Sequence, residues 1–158
     1  MGRRIKIYSV SIFIALMTGI LASSLTSGNM DIYARIVKPP LAPPPILFPI
    51  VWTVLYILMG ISAAMIYERK GSNMTSAQNA LALYGGNLIV NFTWSIIFFG
   101  FSRFLFAFVW LLFLLFIIIR MIISFKKLYP VAGFLQIPYA IWVIFAGYLN
   151  LAIYILNG

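Results

Sequence analysis

Five long apolar stretches constrain the fold of this chain more than any other feature. A helix that crosses a bilayer needs about 20 consecutive, mainly apolar residues, and five such stretches follow one another at about 5–24, 46–67, 80–101, 104–125 and 131–156. Of all residues, 64% are hydrophobic and 8% are charged, against roughly 25% charged in a soluble domain. The sequence therefore predicts one all-α transmembrane domain over residues 1–158, a bundle of five helices.

The first stretch begins with a basic segment, as a secretory signal peptide does. The apolar part of a signal peptide is about 7–15 residues long, and this stretch is longer, so we expect a helix that is retained. Its small residues Ala15, Gly19 and Ser23 share one face and would let another helix approach closely. Packing within one chain is at least as well supported as a homodimer contact.

Basic residues are distributed unequally between the two sides that five spans define. Seven lie on the side of the N-terminus and three on the other, and the richer side of a membrane protein is normally cytoplasmic. The seven are Arg3, Arg4, Lys6, Arg69, Lys70, Lys126 and Lys127, and the three are Arg35, Lys38 and Arg103. We expect a cytoplasmic N-terminus, with the first loop and the C-terminus outside, in a bacterial plasma membrane. Arg120, inside the fourth stretch, is expected to extend towards the cytoplasmic surface.

The residue types present exclude several kinds of chemistry. The chain has no cysteine and no histidine, and its two acidic residues, Asp31 and Glu68, lie between the apolar stretches. Metal-ligand clusters, hydrolytic triads and the carboxylate relays of proton pumps are therefore not expected. The net charge of +9 sits at the ends of the stretches. It indicates contact with anionic lipid headgroups, not with nucleic acid.

A proline-rich segment joins the first two stretches. Between Lys38 and Tyr56 lie six of the eight prolines, and proline fixes φ and removes an N–H donor. Residues 39–45 should form a stiff, non-helical strap that lies across the bundle as a lid, while Pro49 is tolerated in the first turn of the next helix. An amphipathic turn before the strap, at residues 32–37, favours an ordered loop.

Polar side chains share one face of the third stretch, which is unusual for a helix in lipid. Asn87, Asn91 and Trp94 are spaced by about one helical turn, and Ser95 lies beside them. Two unpaired amides would cost several kcal/mol in hydrocarbon. They must bond either to a neighbouring helix or to a ligand, and the residues alone favour neither.

The fifth stretch repeats this pattern around Pro138. Its broad polar and aromatic face consists of Tyr139, Trp142, Ala146 and Asn150. Trp142 lies near the middle of the stretch, where a belt of interfacial aromatic residues does not account for it. Together with Trp52 and Trp94 it would wall an apolar pocket for a planar aromatic ligand. Packing of aromatic side chains in the core is the alternative.

Four segments carry a resemblance to a known family. They are Tyr33 with Lys38-Pro39-Pro40-Leu41-Ala42-Pro43-Pro44; Phe48 with Val51-Trp52-Thr53-Val54-Leu55-Tyr56-Ile57-Leu58-Met59-Gly60; Asn91-Phe92-Thr93-Trp94-Ser95 with Phe98-Phe99-Gly100 and Arg103; and Pro138-Tyr139-Ala140-Ile141-Trp142 with Phe145-Ala146-Gly147-Tyr148-Leu149-Asn150. In this order and over nearly the whole chain, they resemble the translocator protein / tryptophan-rich sensory protein family (TspO/MBR), also called the peripheral-type benzodiazepine receptor family, and in particular its bacterial members.

The resemblance implies a five-helix membrane bundle, often dimeric, with a pocket near the first loop. Members bind porphyrins, animal members bind cholesterol and synthetic aromatic drugs, and some bacterial members are associated with light-dependent breakdown of protoporphyrin. Trp52 and Trp142 are the candidate catalytic residues by this resemblance, and a porphyrin would be a ligand, not a cofactor. The expected ligand-binding residues are Tyr33, Lys38, Pro43, Pro44, Phe48, Trp52, Tyr56, Asn91, Trp94, Ser95, Tyr139, Trp142, Ala146 and Leu149.

Three features depart from the family pattern. Leu41 stands where many members carry an aromatic residue, which would loosen the lid on its ligand, and Phe104 replaces a proline. No Lys or Arg follows Tyr148, although a proposed cholesterol motif requires one. Sterol binding through that motif is therefore doubtful.

Three functions remain open. The first is a receptor or carrier for porphyrins such as protoporphyrin IX, whose two carboxylates would favour Arg35 or Lys38 at the pocket mouth. The second is an enzyme that degrades porphyrin under light. The third is a structural or assembly protein whose aromatic residues only pack.

Overall fold

The computed structural model describes residues 2–29 and 32–158, so the prediction for Asp31 lies outside the described residues. The described chain is helical, and five of its helical segments are long and apolar enough to cross a membrane. This confirms the predicted five-helix architecture. The helices are α1 Gly2–Thr26, α2 Ile32–Arg35, α3 Leu47–Glu68, α4 Met74–Ser95, α5 Phe104–Leu128, α6 Pro130–Phe134 and α7 Ile137–Asn157.

Two of the predicted spans differ from the helices observed. The third begins at Met74, before the predicted residue 80, because the side chain of Asn73 accepts a hydrogen bond from the Ser76 N–H at 3.2 Å and caps the helix. The fifth is divided into α6 and α7 by a turn at residues 135–136. Pro138 lacks the N–H that would continue the helical hydrogen bonds there.

The helices α1 and α3 approach each other closely at two glycines. A Cβ atom added to Gly60 would lie 2.5 Å from the Ile12 Cα atom, and one added to Gly19 would clash with the Tyr56 ring. Ala15 is fully buried in the same stripe of small residues. In this chain, therefore, Ala15 and Gly19 serve packing within one copy of the protein.

Charged residues at the start of α1 and at the end of α3 meet at one end of the bundle. The Arg4 Nε atom lies 2.7 Å from Glu68 Oε1, and the Tyr8 hydroxyl donates to the same carboxylate. The Arg69 guanidinium lies 4.3 Å from the centroid of the Tyr129 ring, just after α5 ends. The first loop and the end of α7 occupy the opposite end, where Asn157 contacts Val37.

Candidate ligand-binding cavity

The first loop contains a strap, defined here as residues 36–46, which has no helical structure. Its backbone is tied by the Ala42 N–H, which donates to the Pro39 carbonyl at 3.2 Å, and by the Tyr33 hydroxyl, which donates to the Pro43 carbonyl at 3.0 Å. Leu41 lies in the left-handed region, with φ 66°, and is 80% exposed. At this exposed position its side chain points away from the bundle.

The end of α7 holds the strap from the other side. Asn157 makes hydrogen bonds to both backbone groups of Val37, and the Tyr148 hydroxyl donates to the Pro40 carbonyl at 2.8 Å. Neither contact was apparent from the sequence. Because strap and α7 are hydrogen-bonded at three points, movement of the strap must break contacts to the last helix.

Tyr33 connects the strap to the interior. Its ring packs edge-on against Phe48 at 5.2 Å, and the Lys38 Nζ atom lies 5.0 Å from the ring centroid. Burial raises the pKa of the Tyr33 phenol. The hydroxyl is therefore protonated at neutral pH and remains a donor to Pro43.

Beside the strap, which contributes Pro45 to the lining, lies a cavity of about 460 Å³ between α1, the start of α3 and the end of α4. This volume falls within the range of about 300–1,000 Å³ that small-molecule sites occupy. The lining residues are Leu16, Gly19, Ile20, Ser23, Ser24, Thr26, Tyr33, Pro45, Phe48, Pro49, Trp52, Thr53, Tyr56, Trp94, Ser95 and Phe99. Most of this surface is apolar, with hydroxyl groups at several points.

Two tryptophans form the flat part of the cavity wall. The Trp52 and Trp94 rings lie 6.5 Å apart with their planes inclined by 32°, and Trp52 also lies 5.5 Å from Tyr56. The Trp94 indole N–H donates to Asn150 Oδ1 at 3.4 Å, and its ring stacks on Phe98. These contacts fix the orientation of Trp94 and present an extended aromatic surface.

The two buried amides of α4 bond to tyrosines of neighbouring helices. Asn91 Nδ2 donates to the Tyr56 hydroxyl at 3.0 Å, and Asn87 Oδ1 accepts a hydrogen bond from the Tyr139 hydroxyl at 2.9 Å. Of the two alternatives that the sequence left open, the structure shows hydrogen bonding between helices. Asn91 thus acts on the cavity through Tyr56, which lines it.

The structure divides the predicted site residues into three groups. Six line the cavity: Tyr33, Phe48, Trp52, Tyr56, Trp94 and Ser95. Five lie one residue behind the lining, in contact with Tyr33, Tyr56, Trp52 or Phe48: Lys38, Pro43, Asn91, Tyr139 and Trp142. Among the described residues, three are placed outside the lining: Pro44, Ala146 and Leu149.

Trp142 therefore differs in position from Trp52. Its ring lies 6.0 Å from Phe48 and 5.6 Å from Phe145, so Phe48 stands between it and the cavity. From the sequence, Trp52, Trp94 and Trp142 were expected to wall one pocket. In the structure, Trp52 reaches the cavity directly and Trp142 supports Phe48.

The sequence analysis missed the contribution of α1. Gly19 and Ser23 were recognised as a small-residue stripe, but that pattern indicated helix contact and not a cavity wall. Ser24 and Thr26 donate to carbonyls of their own helix, those of Ile20 and Ala22, at 2.8 Å each. Their oxygen lone pairs are free to accept hydrogen bonds from a ligand.

The fold and the cavity define a class: a helical membrane protein of five spans with an aromatic-walled cavity under its first loop. The sequence model of the TspO/MBR family matches residues 11–156, and the chain belongs to this family. This confirms the resemblance drawn from the sequence.

Relatives from distant organisms support the assignment. The chain is 33% identical to the "Tryptophan-rich protein TspO" of Chlorobaculum tepidum, over 99% of each chain. It is 34% identical to the "Translocator protein" of Bos taurus, over 84% of this chain and 79% of the relative. It is also 34% identical to the "Tryptophan-rich sensory protein" of Cereibacter sphaeroides, over 75% and 72%. Together they support a receptor-like role for an integral, multi-pass membrane protein.

Proposed function

We propose that this protein is a membrane receptor or carrier that binds porphyrins, such as protoporphyrin IX, and related planar hydrophobic ligands in the cavity beneath the strap. The observation that carries the proposal is the wall formed by Trp52 and Trp94, whose rings lie 6.5 Å apart on one side of the cavity. A flat, apolar ligand stacks favourably on such a surface. Ser23, Ser24 and Ser95 add hydroxyl groups that would orient polar substituents.

The strap would act as the lid of this site. Its prolines lose little conformational entropy on ordering, its contacts to Asn157 and Tyr148 tie it to α7, and its Pro45 lines the cavity. Lys38 lies against Tyr33, a lining residue, and Arg35 is exposed in α2 just before the strap. Both cations would stand near the mouth, where the carboxylates of a porphyrin would emerge.

The test removes these charges. In the variant Arg35→Gln/Lys38→Gln, protoporphyrin IX should bind roughly 10-fold or more weakly, because hydrogen bonds to charged groups are worth about 1.5–3 kcal/mol. Its dimethyl ester, which has the same ring but no charge, should bind as it does to the unmodified protein. Equal weakening of both ligands would exclude the proposed role of the two bases.

A second candidate function is the light-dependent oxidative breakdown of porphyrin by dioxygen. The observation that favours it is the position of Trp52, which lines the cavity and whose ring lies 5.5–6.5 Å from those of Tyr56, Tyr139 and Trp94. Dioxygen would be the oxidant and the illuminated ligand its own photosensitiser, held against this aromatic cluster. A bilin-like absorbance that forms under light and requires Trp52 would support it, whereas formation at the same rate in empty detergent would exclude it.

The structural alternative predicts a different result in the same assays. If the aromatic residues only pack, no planar ligand binds saturably and substitution of Trp52 lowers the free energy of unfolding instead.

For the orientation of the protein in the membrane, we propose a cytoplasmic N-terminus in a bacterial plasma membrane. The cluster of basic residues at the end where α1 begins and α3 ends supports it.

A further inference from the structure

A second cavity lies at the basic end of the bundle, where it is lined by the first half of α1. It has a volume of about 540 Å³ and lies between the first half of α1 and the middle of α4, with Ala63 and Ala64 of α3 also lining it. We call it the basic groove. Its lining residues are Arg3, Lys6, Ile7, Val10, Ser11, Ile14, Ala63, Ala64, Tyr67, Leu81, Tyr84, Gly85 and Leu88.

The groove is apolar inside and positively charged at its mouth. Arg3 and Lys6 are exposed in the first turns of α1, while the deeper lining is built from aliphatic and aromatic side chains. A third cation is close by, since the Lys70 Nζ atom lies 4.6 Å from the Tyr67 ring centroid. The nearby acid, Glu68, is paired with Arg4 at 2.7 Å, so it leaves the charge of Arg3 and Lys6 uncompensated.

We propose that the basic groove is a binding site for one anionic phospholipid of the surrounding leaflet. An acyl chain would lie between α1 and α4 over Ala63 and Ala64, and the phosphate would lie between Arg3 and Lys6. The site is distinct from the cavity under the strap and does not depend on the proposed porphyrin function. A groove with an apolar interior and two cations at the level of the headgroups matches a lipid that carries one negative charge.

The charges favour a lipid over a second copy of the chain. In a membrane, a second copy with the same orientation presents its own basic end at the same depth. A symmetric contact through the groove would therefore bring Arg3 and Lys6 close to the same residues of the other copy. Like charges at that distance repel, whereas an anionic headgroup neutralises them.

Two neighbouring glycines of α4 provide a matched pair of variants. Gly85 lines the groove and Gly86 does not, and a Cβ atom added at either position meets nothing within 4 Å. Gly85→Leu should fill the groove, whereas Gly86→Leu makes the same change of helix propensity outside it. To test the charges, Arg3→Gln/Lys6→Gln removes the two cations at the mouth of the groove. The control variant Arg120→Gln/Lys127→Gln removes two exposed cations of α5.

The experiment is native mass spectrometry of the full-length protein, equilibrated with phosphatidylglycerol or phosphatidylcholine of identical acyl chains. We expect one phosphatidylglycerol retained per chain, with affinity weakened roughly 30-fold in Arg3→Gln/Lys6→Gln, because each base near an anionic headgroup is worth about fivefold. Gly85→Leu should also lose the lipid. Gly86→Leu and Arg120→Gln/Lys127→Gln should retain it.

Three results would overturn the proposal. The first is equal retention of the two lipids by the unmodified protein. The second is equal loss in the two charge variants, which would indicate general attraction to the surface. The third is unchanged lipid binding in Gly85→Leu together with conversion of a dimer to a monomer, which would assign the groove to a second copy.

Discussion

Asn157 and Val37 form a two-point hydrogen-bonded pair that joins the last helix to the first loop. The Val37 N–H donates to Asn157 Oδ1 at 2.8 Å, and Asn157 Nδ2 donates to the Val37 carbonyl at 3.0 Å. An amide side chain satisfies both backbone groups of one residue in this way, as a strand partner would. The position of the strap therefore depends on a residue of the last helix.

Replacement of Asn157 by alanine should loosen the strap without unfolding the bundle. Two hydrogen bonds worth about 1 kcal/mol each are lost, so amide exchange at Val37 should become roughly 30-fold faster. Hydrogen exchange measured by mass spectrometry over residues 32–42 checks this. Asn157→Asp keeps the acceptor and should give an intermediate rate, while unchanged exchange in Asn157→Ala would show that the pair does not hold the strap.

The contact between α1 and α3 should be sensitive to one added methyl group. Gly60→Ala would place its Cβ atom 2.5 Å from the Ile12 backbone, and overpacking of this kind costs about 1–3 kcal/mol. Gly86→Ala, which meets nothing within 4 Å, is the control and should leave stability unchanged or slightly higher. Unfolding in a titration with denaturing detergent measures both, and equal stability of the two variants would contradict the close approach.

The hydrogen bond between Asn87 and Tyr139 should show measurable coupling. Both side chains are buried and their oxygens lie 2.9 Å apart, and such pairs in membrane proteins contribute about 0.6 kcal/mol on average and at most about 1.7. A double-mutant cycle with Asn87→Leu and Tyr139→Phe measures the coupling. Strictly additive effects would mean that the pair contributes nothing beyond packing.

The proposed orientation can be tested with single cysteines because the chain has none of its own. Ser72 follows α3 at the basic end and Ser27 follows α1 at the opposite end, and both are exposed. In intact bacterial cells, a membrane-impermeant maleimide should label Ser27→Cys and should label Ser72→Cys only after lysis. The reverse pattern would invert the topology.

The five spans could be predicted from the sequence because length and apolarity alone decide whether a helix can cross a bilayer. Local details could not be predicted equally well. The early start of α4 depends on one capping side chain, Asn73, inside a stretch that is too polar to be recognised as part of a span. The anchoring of the strap was missed because an asparagine near the end of the chain is typical of a solvated terminus.

The arrangement of the site depended on helix rotation, which hydropathy does not specify. Trp52 and Trp94 line the cavity, and Asn87 and Asn91 are buried in the same helix, α4. Trp142 contacts Phe48 instead of the cavity, because the rotation of α7 is set by its neighbours. The wall formed by α1 was likewise not visible in a stripe of small residues.

The central claim is that a planar tetrapyrrole binds beneath the strap against Trp52. A dark titration of the purified protein with protoporphyrin IX, followed by tryptophan fluorescence, tests it most directly. The unmodified protein should show saturable quenching. Trp52→Phe should weaken binding strongly, Trp142→Phe should weaken it less because Trp142 acts through Phe48, and Trp110→Phe, a control on α5, should leave it unchanged. Weak, linear quenching that is identical in all four proteins would mean partition into detergent and would contradict the claim.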